Sequence, residues 1–226
     1  MKIQDFFKES VYINLDSRPD RKDLFEKEMK SVGLEGYSKR VSATPWYQGI
    51  HQKSECLDCQ KQAACSMSHY NVIKDAKERN LENILIFEDD ITFYNEGEKS
   101  GIEIIEESLD QLSLIPDWHI IHFSAFMLEN TLKLVSPNLI QSVDCLTTHA
   151  YGINKTAFDF LLKFEVGKDS AFDGWMGQRS YIKKYITYPL SIYQREGISD
   201  LDAFGRNPGL SPYIDHYSKP IIKLYE

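Results

Sequence analysis

The sequence has little of several features that would each indicate a particular class of protein. Lys and Arg number 26 against 34 Asp and Glu, so the 226 residues carry a formal net charge of −8. The lack of a basic excess argues against a nucleic-acid coat or a broadly membrane-binding surface. No stretch approaches the roughly 20 apolar residues that span a bilayer, and the first residues contain no secretory hydrophobic region. These absences predict a cytoplasmic protein with at most peripheral association at the cytoplasmic face of a membrane.

Cysteine is also scarce, with four residues in the chain. Cys56 and Cys59 have the two-residue spacer of a zinc knuckle or a redox pair, but a second pair of that kind is missing. A structural zinc site that adds Cys65 and either His51 or His69 is one interpretation. Ordinary thiols in a reducing compartment are the interpretation that we favour.

What the sequence does have is enough apolar surface for a substantial core, with 42% hydrophobic and 12% aromatic residues. No internal repeat, low-complexity segment or linker divides it, so we predict a single domain over residues 1–226. Its core is predicted to run from about residue 10 to residue 203. The tail, 204–226, is rich in Pro, Gly and Tyr and is predicted to wrap the surface.

Strand and helix signals alternate along the chain. Residues 11–15 form an apolar strand segment, and the next helical pattern stops at Gly33, where a helix should end. A second helix, over 62–79, leads into an apolar strand over 84–87. Such strand–helix–strand units build a mostly parallel sheet flanked by helices, which is an α/β fold. The other predicted elements are a loop over 41–55, a helix over 101–114, a strand over 119–123, one or two strands within 139–153, a helix over 155–164 and a strand over 186–194.

Three consecutive carboxylates, Glu88, Asp89 and Asp90, follow the apolar strand over 84–87. Open α/β sheets bind ligands at the carboxyl ends of their strands, so this is a position where acids can serve a site. Adjacent carboxylates repel one another and are costly to desolvate. A hard divalent cation that bridges them to phosphate oxygens would relieve both penalties. A solvated acidic turn is the alternative.

Five short segments occur in a set order along the chain. They are Val11 to Arg21, which ends in an Arg-x-Asp-Arg turn, then Cys65 to His69, Ile84 to Ile91, His149 to Ile153, and finally Phe172-Asp173 with Gln194 and Ser199-Asp200. Together they resemble the glycosyltransferases of family 25, which include bacterial lipooligosaccharide galactosyltransferases and procollagen galactosyltransferases. Each motif alone is unspecific, whereas five in order over roughly residues 11–201 are specific. The chain departs from the family pattern at Ala64, where Gly is usual, and at Gly174, where an acid is usual.

The resemblance implies a single domain of the GT-A type, a Rossmann-like nucleotide-sugar transferase. It implies an inverting enzyme that moves a hexose, with galactose favoured, from a UDP-sugar to a glycan, glycolipid or glycoprotein acceptor such as lipooligosaccharide. A Mn²⁺ or Mg²⁺ ion would neutralise the leaving diphosphate as a Lewis acid. No nucleic acid is expected as a partner.

The resemblance also suggests roles on the donor side. Asp90 is the first candidate for a metal ligand, with Glu88 as the second, and Asp89 and Glu88 can also act through metal-bound water or the ribose hydroxyls. Arg suits phosphate because its planar fork donates two hydrogen bonds. The full set predicted to bind the nucleotide sugar is Asn14, Leu15, Arg18, Arg21, Ser68, His69, Glu88, Asp89 and Gln194. The alternatives are surface ion pairs of the arginines with Asp16 or Asp20, and plain packing for Ser68 and His69.

Inversion requires one base that deprotonates the acceptor hydroxyl. Asp173, well downstream of the acidic cluster, is the candidate, and Asp200 is the second candidate or a helper near the metal. Trp175 could stack on a sugar ring. A helix N-cap is the alternative role for Asp173.

Two other functions remain open on the sequence. A metal-dependent phosphoesterase would use the same carboxylates, although its further closely spaced His and Asp ligands are not evident. A catalytically weak or inactive fold that binds glycan or nucleotide is the other alternative, which the substitution at Gly174 keeps open.

Overall fold

A computed structural model of the chain describes residues 1–46, 57–95, 97–127, 132–169, 171–197 and 200. The predicted tail, 204–226, and the last residues of the predicted core lie outside the described residues. Within the described ranges, no helix combines the length and the apolar character needed to cross a membrane.

The described part of the chain holds twelve strands, which form one large sheet and two small ones. The large sheet has eight strands in the order β2-β1-β3-β10-β5-β11-β8-β7, while β4 pairs with β12 and β6 with β9. The bounds are β1 Ser10–Asn14, β2 Lys39–Ser42, β3 Asn83–Glu88, β4 Ile91–Phe93, β5 Ile120–His122, β6 Phe126–Met127, β7 Leu132–Ser136, β8 Leu139–Ser142, β9 Cys145–Leu146, β10 Ala150–Asn154, β11 Lys184–Thr187 and β12 Ile192–Gln194.

Most strands of the large sheet run in one direction. Strand β1 is parallel to both β2 and β3, and β5 is parallel to β11. Of these eight described strands, β10 and β8 oppose the other six, because each is antiparallel to both of its neighbours. The mostly parallel sheet confirms the predicted α/β class.

Six helices within the described ranges cover the two faces of this sheet. They are α1 Ile3–Phe6, α2 Pro19–Ser31, α3 Leu57–Glu78, α4 Gly101–Leu112, α5 Lys155–Leu161 and α6 Phe172–Gly177. Alternate residues of the central strands point to opposite faces: Tyr12 of β1 packs with α1, α2 and α4, whereas Ile13 packs with α3, α5 and α6. The sheet is therefore buried on both sides, as a parallel sheet requires.

Local signals account for several boundaries. Helix α2 ends before Gly33, which has a positive φ of 76° that glycine adopts without strain. Helix α4 begins with a capping box, in which the Ser100 hydroxyl accepts from the Glu103 N–H and the Glu103 carboxylate accepts from the Ser100 N–H. Both helices were predicted.

Other predictions need correction. Helix α3 begins at Leu57 rather than at residue 62, so Ser68 and His69 lie in its middle. Residues 139–153 hold three strands instead of one or two, and the predicted loop from residue 41 begins inside β2. Cys59 is disulfide-bonded, which differs from the reduced thiol that we favoured, while Cys65 and Cys145 are free. The strands β8 and β9 have only four and two residues, and such short strands carry too little periodicity to be recognised in the sequence.

The small sheet of β4 and β12 holds a late segment of the chain beside the acidic cluster. Strand β4 comes directly after the three acids, and its antiparallel partner β12 places Gln194 opposite Ile91. The Arg195 N–H also donates to the Asp90 carbonyl over 2.6 Å. The side chain of Gln194 is thereby fixed within reach of Asp90.

Candidate active site

Three strands of the large sheet bring polar residues to one edge. Asn14 ends β1 and Glu88 ends β3, while the reversed strand β10 begins just after His149. Because β10 runs antiparallel to β3, its first residues lie at the same edge as the last residues of β1 and β3. This is the edge where α/β sheets bind their ligands.

Two adjoining cavities open at this edge among the described residues, and four residues line both: Cys65, His69, Glu88 and Gln194. The larger, about 340 Å³, is lined also by Asn14, Leu15, Arg21, Ser68, Asp89, Asp90 and Asp200, and we call it the Asp90 chamber. The smaller, about 240 Å³, is lined also by Ser66, Thr147, Thr148, His149, Phe172 and Asp173, and we call it the Asp173 chamber.

In the Asp90 chamber, Arg21 is the centre of an ion-pair network. Its Nε lies 2.9 Å from Asp89 Oδ1, its Nη2 lies 2.5 Å from Asp90 Oδ2, and its Nη1 lies 3.1 Å from Asp200 Oδ2. The guanidinium side chain is 16% exposed. One largely buried arginine thus pairs with three carboxylates.

The carboxylate of Asp90 is nevertheless only partly hydrogen-bonded and ion-paired. Gln194 Nε2 donates to its Oδ2 over 3.0 Å, but its buried Oδ1 has no hydrogen-bond partner among the described residues. Burial and the nearby charge of Glu88 raise the pKa of the Asp90 carboxyl, despite Arg21. An unpartnered carboxylate oxygen beside a second acid, Asp89, fits the donor set of a hard divalent cation.

Asn14 supports the acids from the end of β1. Its amide nitrogen donates to Asp89 Oδ2 over 2.7 Å and to the Arg18 carbonyl over 3.1 Å, while its amide oxygen accepts from Arg40 Nε over 2.8 Å. A contact of the Asn14 amide nitrogen with the nucleotide sugar would have to replace one of these bonds, whereas the amide oxygen has a second lone pair. Leu15, the next residue, lines the same chamber.

Arg18 connects the turn after β1 to Asp200. Its Nη1 lies 2.5 Å from Asp200 Oδ2, and its Nε and Nη2 form a two-pronged pair with Asp20 at 2.9 and 2.8 Å. Arg18 therefore forms the ion pair with Asp20 that was the alternative interpretation. It also contacts Asp200, which lines the Asp90 chamber.

Glu88 points away from this network. Its Oε1 accepts from the Thr148 hydroxyl over 2.8 Å and lies 3.3 Å from His69 Nε2. On the other side of the ring, His69 Nδ1 lies 2.9 Å from the Tyr151 hydroxyl. The two carboxylates predicted to share one metal ion, Glu88 and Asp90, therefore have separate sets of partners.

Ser68 is buried in the wall of the Asp90 chamber. Its hydroxyl donates to the Ala64 carbonyl and accepts from the Thr44 N–H, both over 2.9 Å. These bonds hold the segment after β2 against α3, and they shape the chamber.

Asp173 lies in the first turn of α6. The Thr147 N–H donates to its Oδ2 over 3.2 Å and the Gly174 N–H to its Oδ1 over 2.7 Å. The N-cap of α6 is Ala171, so the N-cap role considered for Asp173 is wrong. No cationic side chain pairs with Asp173 among the residues that the structure describes, and its half-buried carboxylate faces the chamber.

Trp175 is not available to a sugar. Its ring is 5% exposed and packs with Phe172 and Phe164 in the core under α6. The expected stacking on a sugar ring is therefore wrong, because the residue lies on the sheet-facing side of a six-residue helix.

Lys184 is a supporting residue that the sequence did not reveal. This fully buried lysine of β11 donates from Nζ to the carbonyls of Gly177 and Arg179, each over 2.9 Å, and to that of Met176 over 3.4 Å. These carbonyls lie at the carboxyl end of α6, where a cation also complements the helix dipole. Lys184 thus anchors the helix that carries Asp173.

Thr147, Thr148 and His149 line the Asp173 chamber and were not predicted as site residues. His149 is 1% exposed with an unpartnered Nε2 among the described residues, and burial lowers its pKa to about 4, so it is neutral. The signal in the sequence that could have found them is the segment from His149 to Ile153, to which no role was assigned.

Comparisons with known proteins identify relatives of this chain. A family model described as "Glycosyltransferase family 25 (LPS biosynthesis protein)" matches residues 7–173. Procollagen galactosyltransferase 2 of Mus musculus is 24% identical over 226 residues, which is 96% of this chain and 33% of the relative. The Homo sapiens protein of the same name is 25% identical over 123 residues, 53% of this chain and 17% of the relative. The chain therefore spans about a third or less of the length of these curated relatives.

Solved structures resemble the chain only distantly. UDP-glucose pyrophosphorylase complexed with UDP-glucose superposes with a TM-score of 0.46 at 10% identity, over 82% of this chain and 74% of the other. A197 from STIV gives a TM-score of 0.44 at 8% identity, over 84% and 90% of the two chains.

Proposed function

The chain belongs to glycosyltransferase family 25, and on that premise we propose that it transfers a hexose, galactose in the first place, from a UDP-sugar to a hydroxyl of a glycan. The Asp90 chamber is the donor site and the Asp173 chamber is the acceptor site. The observation that carries this proposal is the shared wall of the two chambers, where Glu88 and Gln194 line both. A sugar that leaves one chamber can therefore meet a nucleophile held in the other.

The donor chamber suits a nucleoside diphosphate. Arg21 and Arg18 supply guanidinium groups that can donate to phosphate oxygens once their carboxylate partners are otherwise neutralised. Asp90, with its unpartnered Oδ1, and Asp89 are the residues that would hold Mn²⁺ or Mg²⁺. Such an ion, when bound, would stabilise the negative charge on the leaving diphosphate. Glu88 shapes this wall through Thr148 and His69.

The acceptor chamber suits a general base. Two backbone N–H groups orient the Asp173 carboxylate, which can take the proton from an acceptor hydroxyl as that oxygen attacks the sugar. The inverting mechanism needs no covalent nucleophile. Asp200 is paired with Arg18 and Arg21 in the other chamber, which supports a helper role beside the diphosphate and leaves Asp173 as the base.

The acceptor is proposed to be the terminal sugar of a glycan, such as that of a lipooligosaccharide. The family description refers to LPS biosynthesis, and the curated relatives are named as galactosyltransferases of procollagen. Glycolipids and glycoproteins thus both present sugars or hydroxyls of the right chemistry.

Binding of UDP-sugars tests the donor site. Calorimetry would compare UDP, UDP-galactose, UDP-glucose and UDP-N-acetylglucosamine, each with Mn²⁺ and with EDTA. We expect binding that requires the ion and prefers UDP-galactose, and we expect Asp90→Asn to lose the requirement together with most of the affinity. Asp159→Asn, which changes a carboxylate that is 75% exposed on α5, is the matched control.

Three outcomes would contradict parts of the proposal. Unchanged ion dependence in Asp90→Asn would remove Asp90 from the metal site. A preference for another UDP-sugar would replace galactose. Binding of UDP-galactose with no transfer to any tested glycan acceptor would favour an inactive binding protein on the same fold.

A further inference from the structure

The wall between the two chambers contains a thiol, an imidazole and a carboxylate close together. One ligand atom from each of Cys65, His69 and Glu88 lies within 4.8 Å of the other two. Cys65 and His69 are one turn apart on α3, so both side chains project from the same face of the helix. Glu88 reaches this face from the end of β3.

The ring of His69 is oriented as in a metal ligand. Its Nδ1 lies 2.9 Å from the Tyr151 hydroxyl, while its Nε2 is fully buried, lacks a hydrogen-bond partner among the described residues and lies 3.3 Å from Glu88 Oε1. Histidine ligands usually use one nitrogen for the metal and fix the other through a second group. Tyr151, which is itself fully buried, has that position here.

The charges of the three groups are unbalanced without a cation. Among the described side chains, no lysine or arginine pairs with Glu88, whose side chain is only 19% exposed, and a largely buried carboxylate without a cationic partner is unfavourable. A divalent ion that binds a thiolate, a carboxylate and a neutral imidazole would give a neutral cluster.

We propose that Cys65, His69 and Glu88 form a binding site for a divalent transition-metal ion of the Zn²⁺ class, distinct from the cation of the donor site. Sulfur, nitrogen and carboxylate oxygen are the ligands that Zn²⁺ takes in tetrahedral sites, whereas Mg²⁺ and Mn²⁺ favour oxygen. Three protein ligands leave a fourth position, which can take water or an oxygen of a bound molecule. The site does not depend on the proposed transferase activity, because its three ligands are defined by their own contacts.

Cobalt binding tests this site, since a Co²⁺–thiolate bond gives a charge-transfer absorption in the near ultraviolet. Untagged protein would be stripped of metal, kept reduced and titrated with Co²⁺, and Zn²⁺ would then be added in competition. We expect one equivalent of Co²⁺ with the thiolate band, displaced by Zn²⁺. Cys65→Ser should lose the band, His69→Gln should bind at least about tenfold more weakly, and Tyr151→Phe should lose about 10- to 100-fold in affinity.

Controls separate this site from the other thiols and from the donor site. Cys145→Ser and Cys59→Ser should keep the band, because neither sulfur belongs to the cluster. Asp90→Asn should also keep it while losing the Mn²⁺-dependent UDP binding, so the two proposals can fail separately. Absence of the band in folded wild-type protein, its persistence in Cys65→Ser, or its loss in Cys59→Ser or Asp90→Asn would overturn the proposal.

Discussion

The two chambers hold their carboxylates in different ways. In the Asp90 chamber, Asp89 and Asp90 are buried and share the charge of Arg21, with Asn14 and Gln194 as further donors. In the Asp173 chamber, two backbone N–H groups hold one half-buried carboxylate, and no cationic side chain of the described chain pairs with it.

This difference separates two chemical tasks. A carboxylate that pairs with a guanidinium can exchange that cation for a metal ion, and its negative charge stays compensated. This arrangement suits a site that binds a metal ion and a diphosphate. A carboxylate held by neutral N–H groups keeps its orientation and stays free to accept a proton. The charge of the partner group, more than the carboxylate itself, distinguishes the proposed donor site from the proposed acceptor site.

Asp173→Asn is the sharpest way to break this comparison. The amide keeps the shape of the side chain but is not a base, so we expect the transfer rate to fall by about 10²- to 10⁴-fold. The dissociation constant of UDP-galactose with Mn²⁺ should not change, because the residue lies in the other chamber. Single-turnover kinetics and calorimetry would measure both. Near-normal turnover would exclude Asp173 as the base and make Asp200 the next candidate.

Arg21→Gln should affect the donor chamber alone. Loss of a charged donor to the diphosphate corresponds to about 1.5–3 kcal/mol, or roughly 10- to 100-fold in the affinity for UDP. Lys22→Gln, on the next residue of α2 and paired with Glu26 across one helical turn, is the matched control. Equal losses of affinity in the two variants would show that Arg21 does not contact the nucleotide.

Lys184→Met should affect the acceptor chamber through α6. The variant leaves the carbonyls of Gly177 and Arg179 without their buried donor, and we expect the free energy of unfolding to fall by about 1–3 kcal/mol. The KM for the acceptor should rise while UDP binding stays constant. Lys183→Met, the adjacent residue with an exposed side chain that pairs with Asp117, is the control. An equal loss of UDP binding and of acceptor affinity would indicate general destabilisation instead.

His122 is predicted to affect the pH dependence of stability and neither chamber directly. The ring is fully buried near Lys184 and His149, and neither of its nitrogens has a partner in the described part of the chain. Burial lowers its pKa from 6.5 to about 3, so below pH 6.5 the unfolded chain binds a proton that the folded protein does not. Stability should therefore fall as the pH drops from about 6.5 towards 3, by at most about 1.4 kcal/mol per pH unit for this group.

His122→Leu should flatten this acid dependence in urea titrations at a series of pH values. The remaining slope would come from other groups, including His149, whose pKa burial lowers to about 4. An unchanged slope in the variant would mean that His122 does not contribute.

Much of the framework could be predicted from the sequence because its signals are local. The apolar run before Glu88 predicted β3, the spacing up to Gly33 predicted α2, and Arg21 and the acids that follow β3 do line one cavity. These elements depend on neighbours in the chain, and their patterns are long enough to recognise.

The parts that could not be predicted depend on contacts distant in sequence. Lys184 looks like any surface lysine until β11 is buried beside α6. The direction of Glu88 is set by Thr148 and His69, and nothing next to it in the chain distinguishes it from Asp89. Trp175 was misplaced for the same reason, since a short helix can present a tryptophan to either side.

Strand β10 runs antiparallel to β3, and this direction separates positions that tolerate substitution from positions that do not. Its pairing with β3, with Ala150 opposite Phe87, fixes the strand that delivers the acids. The residues just before it, Thr147 to His149, line the second chamber and not the first. A change of side chain at Thr147 would alter the proposed acceptor pocket alone, whereas Thr148 and His149 also hold Glu88, which lines both chambers. Under the proposed function, variants with a new acceptor but the same activated sugar should therefore be sought at Thr147, between β9 and β10.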